Sequence, residues 1–353
     1  MSEITKDDLR AAVAAGHLSE AQAASVMALA ANRISGRAAL PAEDEPFELF
    51  RGFAEIFVTV GLAILITGSF GFLLFLGGHS GYIFLIPLTA LFAEYFTRKR
   101  RMVLPSILLT VTLAGAVLAS FLGIPVLGMR FVAEDPSLNL ALGVTALALI
   151  AWFLRYRVPF SMFLVGLCVL AILLNLAKGL GPNVEMARAV DMFDLARGSS
   201  ISLAMLLFGC LALAGGIWFD MRDPYRLGRQ SASGFWLHVL AAPALVNTVA
   251  LTFYKMGPGT GYGLLLVALI VAAALALIID RRSFFTAGIG YMIFLSFYAF
   301  GDAADPRSWW VVLILIGLAL TALGSFWTEL RTRLMRLLPQ FPGKSRLPPY
   351  VTE

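Results

Sequence analysis

Residues 54–76 read AEIFVTVGLAILITGSFGFLLFL, an apolar run in which Glu55 is the only charged residue. Crossing about 30 Å of hydrocarbon takes roughly 20 apolar residues in a helix. Lipid offers no partner for backbone N–H and C=O groups, so such a run is predicted to be α-helical. The chain is therefore predicted to cross a membrane here.

Similar apolar runs follow along the chain, and the composition agrees with them. Hydrophobic residues make up 59% of the 353 residues and charged residues only 14%, whereas about a quarter of a soluble domain is charged. We predict an all-α fold, a polytopic transmembrane helical bundle of about ten spans. The predicted spans are 54–76, 82–97, 103–122, 138–154, 159–177, 200–219, 235–254, 262–279, 284–300 and 308–327.

The basic residues test these spans independently, because they accumulate on the cytoplasmic side of membrane proteins. Of the 27 Lys and Arg residues, 21 lie before span one, after spans two, four, six and eight, or in the C-terminal tail. The polar start of the chain lacks the pattern of a signal peptide. These features predict cytoplasmic N and C termini. The preference for Arg over Lys indicates a bacterial origin and hence the inner (plasma) membrane.

The chain is predicted to have three parts: residues 1–46, a cytoplasmic helical hairpin with an acidic linker; residues 47–329, the ten-span domain; and residues 330–353, a basic amphipathic tail. The hairpin, residues 5–32, has too few apolar residues for a core of its own. It is predicted to dock on the membrane domain or on a membrane-protein partner. The tail is predicted to lie on the lipid bilayer and to favour anionic headgroups. No nucleic-acid partner is predicted, because the positive charge follows the membrane topology.

Spans two to nine form four consecutive hairpins of one orientation, each with a short basic turn. Either an ancestral duplication or the positive-inside rule acting on short loops explains this regularity. Three acidic residues, Glu94, Asp220 and Asp280, occupy equivalent places just before the arginines of these turns. Glu94 precedes Arg98 by four residues, the favourable order for an ion pair on a helix. Structural ion pairing is favoured over a proton relay at these positions.

Span seven contains an apolar run that is interrupted by polar residues and a proline, FWLHVLAAPALVN at residues 235–247. His238 is the only imidazole within a span, and Pro243 removes a backbone hydrogen bond and favours a kink. Asn247 lies nine residues after His238, on the opposite helical face. Helix-to-helix hydrogen bonding is favoured over a substrate path for His238, Asn247 and also Asn175. Gly61 and Gly68 are predicted to form a close-packing seam on span one.

Chemistry-bearing motifs do not stand out from this background. The three histidines have no metal-ligand spacing, and no glycine-rich loop follows a strand. No catalytic residue, cofactor or metal site is predicted, and an enzyme is not expected. Transport or passage of a small neutral or lipidic substrate ranks first among the functions. The alternative is a non-catalytic membrane scaffold that assembles with other membrane proteins.

Three short patterns give the chain a resemblance to a known group. They are Leu9…Gly16-His-Leu-Ser-Glu-Ala-Gln22, the FWLHVLAAP run at 235–243, and Trp327…Arg336-Leu-Leu-Pro339 followed by Leu347-Pro-Pro. On these patterns the chain resembles uncharacterised bacterial polytopic membrane proteins that share a domain of unknown function. The resemblance implies a membrane location but no activity and no functional residues.

Overall fold

The computed structural model describes residues 53–77, 81–122, 136–180, 193–282 and 321–350, apart from positions 225, 227, 228 and 349, with a few isolated positions elsewhere. Every regular element within these ranges is helical. The predicted hairpin 5–32 apart from isolated positions, the acidic linker, span 284–300 and half of span 308–327 lie outside the described residues.

Nine α-helices are named here in chain order. They are α1 Phe53–Gly77, α2 Gly81–Ala93, α3 Val103–Leu122, α4 Pro136–Tyr156, α5 Phe160–Leu180, α6 Ser200–Asp220, α7 Arg229–Lys255, α8 Thr260–Ile279 and α9 Trp327–Leu337. Short 3-10 helices cover Leu195–Arg197 and Lys344–Arg346.

Seven of these helices, α1 and α3 to α8, are long and apolar enough to cross a membrane. Each coincides with a predicted span, so the all-helical membrane class is confirmed for the described residues. The predicted span 82–97 differs, because its α-helix ends at Ala93 and continues as a π-helical turn, Glu94–Lys99. At 1.5 Å per residue, the 13 residues of α2 cover about 20 Å, and the turn carries the chain on to the basic residues.

The hairpin turns share a backbone feature. Four non-glycine residues in the described ranges have positive φ, namely Arg101, Arg157, Arg226 and Asp280, with values of 53° to 56°. One of them lies in each of the four basic turns. A left-handed residue at the end of a helix reverses the chain and is usually glycine, since a Cβ costs about 1 kcal/mol there. The four turns therefore share a left-handed non-glycine residue as well as their basic side chains.

The α7 helix packs against three neighbours, α5, α6 and α8. Small residues make this possible: Ala241, Ala242 and Ala244 are fully buried in the main apolar cluster. The α6 helix offers matching glycines, and a Cβ on Gly209 would lie 2.6 Å from Cγ of Leu245. The interface of α6 with α7 is therefore held at a distance that only small residues allow.

The C-terminal tail packs against the end of α8 instead of presenting all of its basic residues to solvent. Arg331 is buried and donates from Nε to the carbonyl of Leu277 at 3.1 Å and from Nη2 to that of Pro348 at 2.6 Å. Lys344 is buried too, whereas Arg333 and Arg336 are exposed. The predicted headgroup surface of the tail thus loses two of its cations to internal hydrogen bonds.

Lys344 fixes the tail in a way that a substitution can test. Its Nζ donates to the carbonyls of Met335 and Leu338, both at 2.7 Å, and so satisfies the C-terminal end of α9. Lys344→Met keeps the stem but removes these charge-assisted bonds, each contributing about 1.5–3 kcal/mol. We expect faster amide exchange across Trp327–Leu337, measured by hydrogen–deuterium exchange. Arg346→Met is the control, since Arg346 is exposed; equal exchange in both variants would contradict the capping role.

Candidate functional site

A cluster of buried polar side chains lies where three helices end or begin at the same end of the bundle. Asp220 is the last residue of α6, His238 lies in the third turn of α7, and Arg281 follows the end of α8 by two residues. The Leu277–Arg281 stretch leaves α8 through Asp280, whose left-handed conformation (φ 56°) turns the chain inward. The three side chains, here called the triad, therefore come from three separate helices.

The geometry of the triad is that of a carboxylate shared by two donors. His238 Nε2 lies 2.8 Å from Asp220 Oδ2, and Arg281 Nε donates to the same oxygen at 3.1 Å. Arg281 Nη2 also donates to Asp220 Oδ1, which makes the guanidinium pair bidentate. Nη2 further donates to the carbonyl of Ser231 at 2.8 Å and reaches its Oγ at 3.2 Å. Bidentate pairs of this kind are among the strongest hydrogen-bonded contacts in proteins.

Burial of the triad is nearly complete. The exposed side-chain fraction is 0% for His238 and Arg281 and 3% for Asp220. An ion removed from water is strongly penalised unless its partner and its hydrogen bonds compensate. If the imidazole is neutral and donates through Nε2, one carboxylate faces one guanidinium and the triad carries no net charge.

Two glycines create the space that the triad occupies. A Cβ on Gly216 of α6 would lie 2.7 Å from Cε1 and 2.8 Å from Nε2 of His238. A Cβ on Gly234 of α7 would lie 2.5 Å from Asp220 Oδ1 and 3.0 Å from the carbonyl oxygen of Gly216. Neither position accepts any other residue without a shift of its neighbours. The two glycines are therefore part of the site.

A second carboxylate cluster adjoins the first. Asp280 Oδ2 lies 3.3 Å from Nη1 of Arg226, and Trp327 Nε1 donates to Asp280 Oδ1 at 2.7 Å. Arg331 Nε is 3.6 Å from the same Oδ1. Burial lowers the pKa of the Arg331 guanidinium, while the nearby Asp280 carboxylate opposes that shift. Because Asp280 and Arg281 are neighbours, one dipeptide joins both clusters and ties α9 to the ends of α6, α7 and α8.

The third acidic candidate, Glu94, is different because it is exposed. Arg98 Nη1 donates to its Oε2 at 3.1 Å, and Arg155 Nη2 donates to its Oε1 at 2.6 Å. The Tyr156 hydroxyl donates to Oε1 at 3.2 Å. Glu94 thus joins the turn after α2 to the end of α4. Exposed pairs of this kind contribute little to stability.

The remaining predicted residues do not join the triad. Asn175 on α5 donates from Nδ2 to Asn139 Oδ1 on α4 at 3.0 Å, a hydrogen bond between neighbouring helices. Pro243 lies within α7, which continues as one helix to Lys255. Asn247 lies further along α7, and its Oδ1 is buried with no hydrogen-bond partner. The structure therefore brings together Asp220 and His238, and leaves Asn175, Pro243 and Asn247 elsewhere.

Sequence reasoning missed Arg281, Ser231, Gly216 and Gly234. Arg281 stood only as a topology signal, and the two glycines lay among 32 in the chain. One signal could have raised their rank: Gly216 lies four residues before Asp220, and Gly234 lies four before His238. Residues four apart share a helical face, so each glycine opens space beside a polar side chain of its own helix.

The arrangement constrains the chemistry that the triad can perform. Every oxygen of Asp220 is engaged, and the burial of all three side chains leaves no surface for a substrate. Within the described ranges, no group of three His, Cys, Asp or Glu side chains is placed to hold a metal ion. The geometry is that of a buried ion pair with hydrogen bonds that connect α6, α7 and the end of α8.

Comparisons with known proteins do not assign the chain to a family. No protein-family model matches the chain, and neither the curated proteins nor the solved structures contain one that is significantly similar to it. The predicted resemblance to uncharacterised bacterial membrane proteins therefore stays a prediction.

Proposed function

We propose that the protein is a non-catalytic membrane scaffold, an assembly partner for other membrane proteins, and not a carrier. One observation supports this choice above the others: the only imidazole predicted within a span is locked in the triad. His238 is one of the polar span residues considered for a substrate path, and the only imidazole among them. Its ring is fully buried against Gly216 and hydrogen-bonded to Asp220, so it does not line a substrate path.

The energetics of the triad favour a bundle that keeps one arrangement. Carriers expose their sites alternately by moving one set of helices against another. Moving α6 against α7 or the end of α8 would separate Asp220 from His238 or Arg281 while these groups are still buried. Leaving one member of a buried ion pair alone costs about 3–5 kcal/mol. The second carboxylate cluster adds to the barrier, because Asp280 also binds Arg226 and Trp327.

The setting of the scaffold is part of the proposal. We infer ten spans with both termini cytoplasmic, in the inner membrane of a bacterium. The seven membrane-length helices and the position of 21 of the 27 basic residues support this topology. The partner would bind through residues 5–32, since that hairpin is too small for a core of its own. No cofactor is required for this role.

Passage of a small neutral or lipidic substrate is the alternative, and one observation favours it. Asn247 has a buried Oδ1 with no hydrogen-bond partner, one turn beyond Pro243. A polar atom of this kind within a span is costly, and a passing hydroxyl group would satisfy it. This path would run along α7 on the side away from His238.

Distance measurements between helices separate the two functions. With Cys168 and Cys210 replaced by serine, spin labels are placed on α4 and α6 in two pairs of exposed positions: Leu140 with Leu203 at one end, and Leu154 with Trp218 at the other. A scaffold gives a single narrow distance distribution for each pair in lipid nanodiscs. Two populations that change in opposite directions at the two ends would establish a carrier and refute the scaffold.

Purification in mild detergent tests the partner itself. The full chain should retain a stoichiometric membrane protein, and deletion of residues 1–40 should release it. The deleted chain must give the same label distances as the full chain, which shows that the bundle is intact. Absence of any stoichiometric partner from the full chain would count against the scaffold.

A further inference from the structure

An exposed apolar stripe on α2 leads directly to the most basic turn of the chain. Its members are spaced by three or four residues and so lie on one helical face: Phe84, Pro87, Leu91 and Tyr95. Leu91 is 67% exposed, and Tyr95, in the π-helical turn, is 44% exposed. The stripe ends at Arg98, where the side chains change from apolar to basic.

The turn after this stripe holds four consecutive cations, Arg98, Lys99, Arg100 and Arg101, and all four are exposed. Two of them are held in place. Arg100 donates from Nε and Nη2 to the hydroxyl oxygen of Tyr95 at 3.2 and 3.1 Å. Arg98 is oriented by Glu94 at 3.1 Å. The guanidinium groups are thus arranged before any ligand arrives, which reduces the entropy lost on binding.

The backbone of the turn is anchored as well. Glu55 of α1 is buried, and its Oε2 accepts hydrogen bonds from the N–H groups of Val103 and Leu104 at 3.1 and 3.2 Å. These are free N–H groups of the first turn of α3, so Glu55 acts as an N-terminal cap from another helix. The anchored turn keeps its cations beside the stripe.

The local charge is not balanced. Glu94 is shared between Arg98 and Arg155, and Glu55 binds the backbone of the turn, so two carboxylates face five cations when the other three residues of the turn are counted. Arg331 and Lys344 of the tail, in contrast, donate to backbone carbonyls and are buried. The turn after α2 therefore keeps four exposed cations in sequence, whereas two cations of the tail are used in internal hydrogen bonds.

We propose that this turn is a binding site for one anionic phospholipid. The phosphate lies between Arg98 and Arg100, because guanidinium groups bind phosphate oxygens through two parallel hydrogen bonds. An acyl chain lies along the stripe from Tyr95 toward Phe84. The headgroup belongs to the leaflet at this end of the bundle. The site is independent of the scaffold role and supplies an anchoring point that the tail was predicted to provide.

Native mass spectrometry of the full chain in mild detergent measures the proposed binding. The probes are phosphatidylglycerol and phosphatidylcholine with identical acyl chains. The wild-type protein should retain phosphatidylglycerol several-fold more than phosphatidylcholine. Arg98→Gln/Arg100→Gln should remove that preference, whereas Arg333→Gln/Arg336→Gln, an equal loss of exposed charge on α9, should keep it.

A milder variant guards against misfolding of the double variant. Tyr95→Phe keeps every charge but frees Arg100, and should reduce phosphatidylglycerol retention about threefold or less. Equal retention of both lipids by the wild-type protein would overturn the proposal, as would wild-type retention by Arg98→Gln/Arg100→Gln.

Discussion

Replacing Asp220 with asparagine is expected to destabilise the protein by about 3–5 kcal/mol, because it leaves the Arg281 guanidinium buried without its counter-charge. The amide keeps the shape of the side chain, so the loss reports charge and hydrogen bonding and not packing. It also places an NH2 group against donors, since both His238 Nε2 and Arg281 Nε point at Asp220 Oδ2. The free energy of unfolding is measured by titrating detergent-solubilised protein with dodecyl sulfate.

Glu94→Gln is the matched control for this experiment. The chemical change is the same, and Glu94 also contacts two arginines, but water replaces the lost contacts at an exposed site. We expect little change in stability. A double variant, Asp220→Asn/Arg281→Met, should recover part of the loss by removing the orphaned charge. Equal stability of Asp220→Asn and Glu94→Gln would contradict the structural role of the triad.

From the sequence alone, Asp220 and His238 can each be singled out, but the residues that they contact cannot. The alternation of apolar runs and basic turns reveals the spans, because the membrane imposes both length and charge bias. It also places Asp220 at a span end and His238 inside a span. Their contact spans 18 residues, and that of Asp220 with Arg281 spans 61. Such pairs depend on which helices are neighbours, which hydropathy does not encode.

Local rules work where the partners lie on one helix. The four-residue spacing of Glu94 and Arg98 predicts their contact, and the structure has it at 3.1 Å. The same rule says nothing about Arg155, which reaches Glu94 from 61 residues away. The tail shows the opposite problem: its amphipathic pattern is real, but Arg331 faces the bundle because Leu277 and Pro348 offer carbonyls there.

Glycine spacing alone does not locate the close packing within the described residues. Gly61 and Gly68 are seven apart on α1 and predict a seam, and among the described residues a Cβ on either would meet no atom within 4 Å. Tight positions at the contact of α6 with α7 are Gly209, Gly216 and Gly234. A small residue permits close approach but does not cause it. At Gly216 and Gly234 the neighbours are His238 and Asp220, whereas at Gly209 the neighbour is Leu245.

Gly234→Ala is the second substitution with a large expected effect. The added methyl group would lie 2.5 Å from Asp220 Oδ1 and 3.0 Å from the carbonyl oxygen of Gly216. The second contact is with backbone, which cannot rotate away, so α6 and α7 must separate. Overpacking of this kind costs about 1–3 kcal/mol. Weakened hydrogen bonds within the triad add to that loss.

Gly61→Ala is the matched control, and it should have the opposite sign. The position is helical, and no described residue lies within 4 Å of a Cβ there, so alanine gains up to about 1 kcal/mol from its greater helix propensity. Comparing the two variants removes the intrinsic difference between glycine and alanine. If Gly234→Ala were as stable as Gly61→Ala, the close approach of α6 to α7 would be refuted.

A local probe shows whether the triad itself responds. The chain has three histidines, so selective ¹⁵N labelling of histidine gives a small set of imidazole signals, with His238→Asn identifying the one from the triad. In Gly234→Ala the ¹⁵N shift of Nε2 should move, because Asp220 Oδ2 no longer lies 2.8 Å away. Loss of stability with an unchanged Nε2 signal would place the strain in packing alone. A shifted signal together with lower stability would show that the hydrogen bond between His238 and Asp220 depends on the distance between α6 and α7.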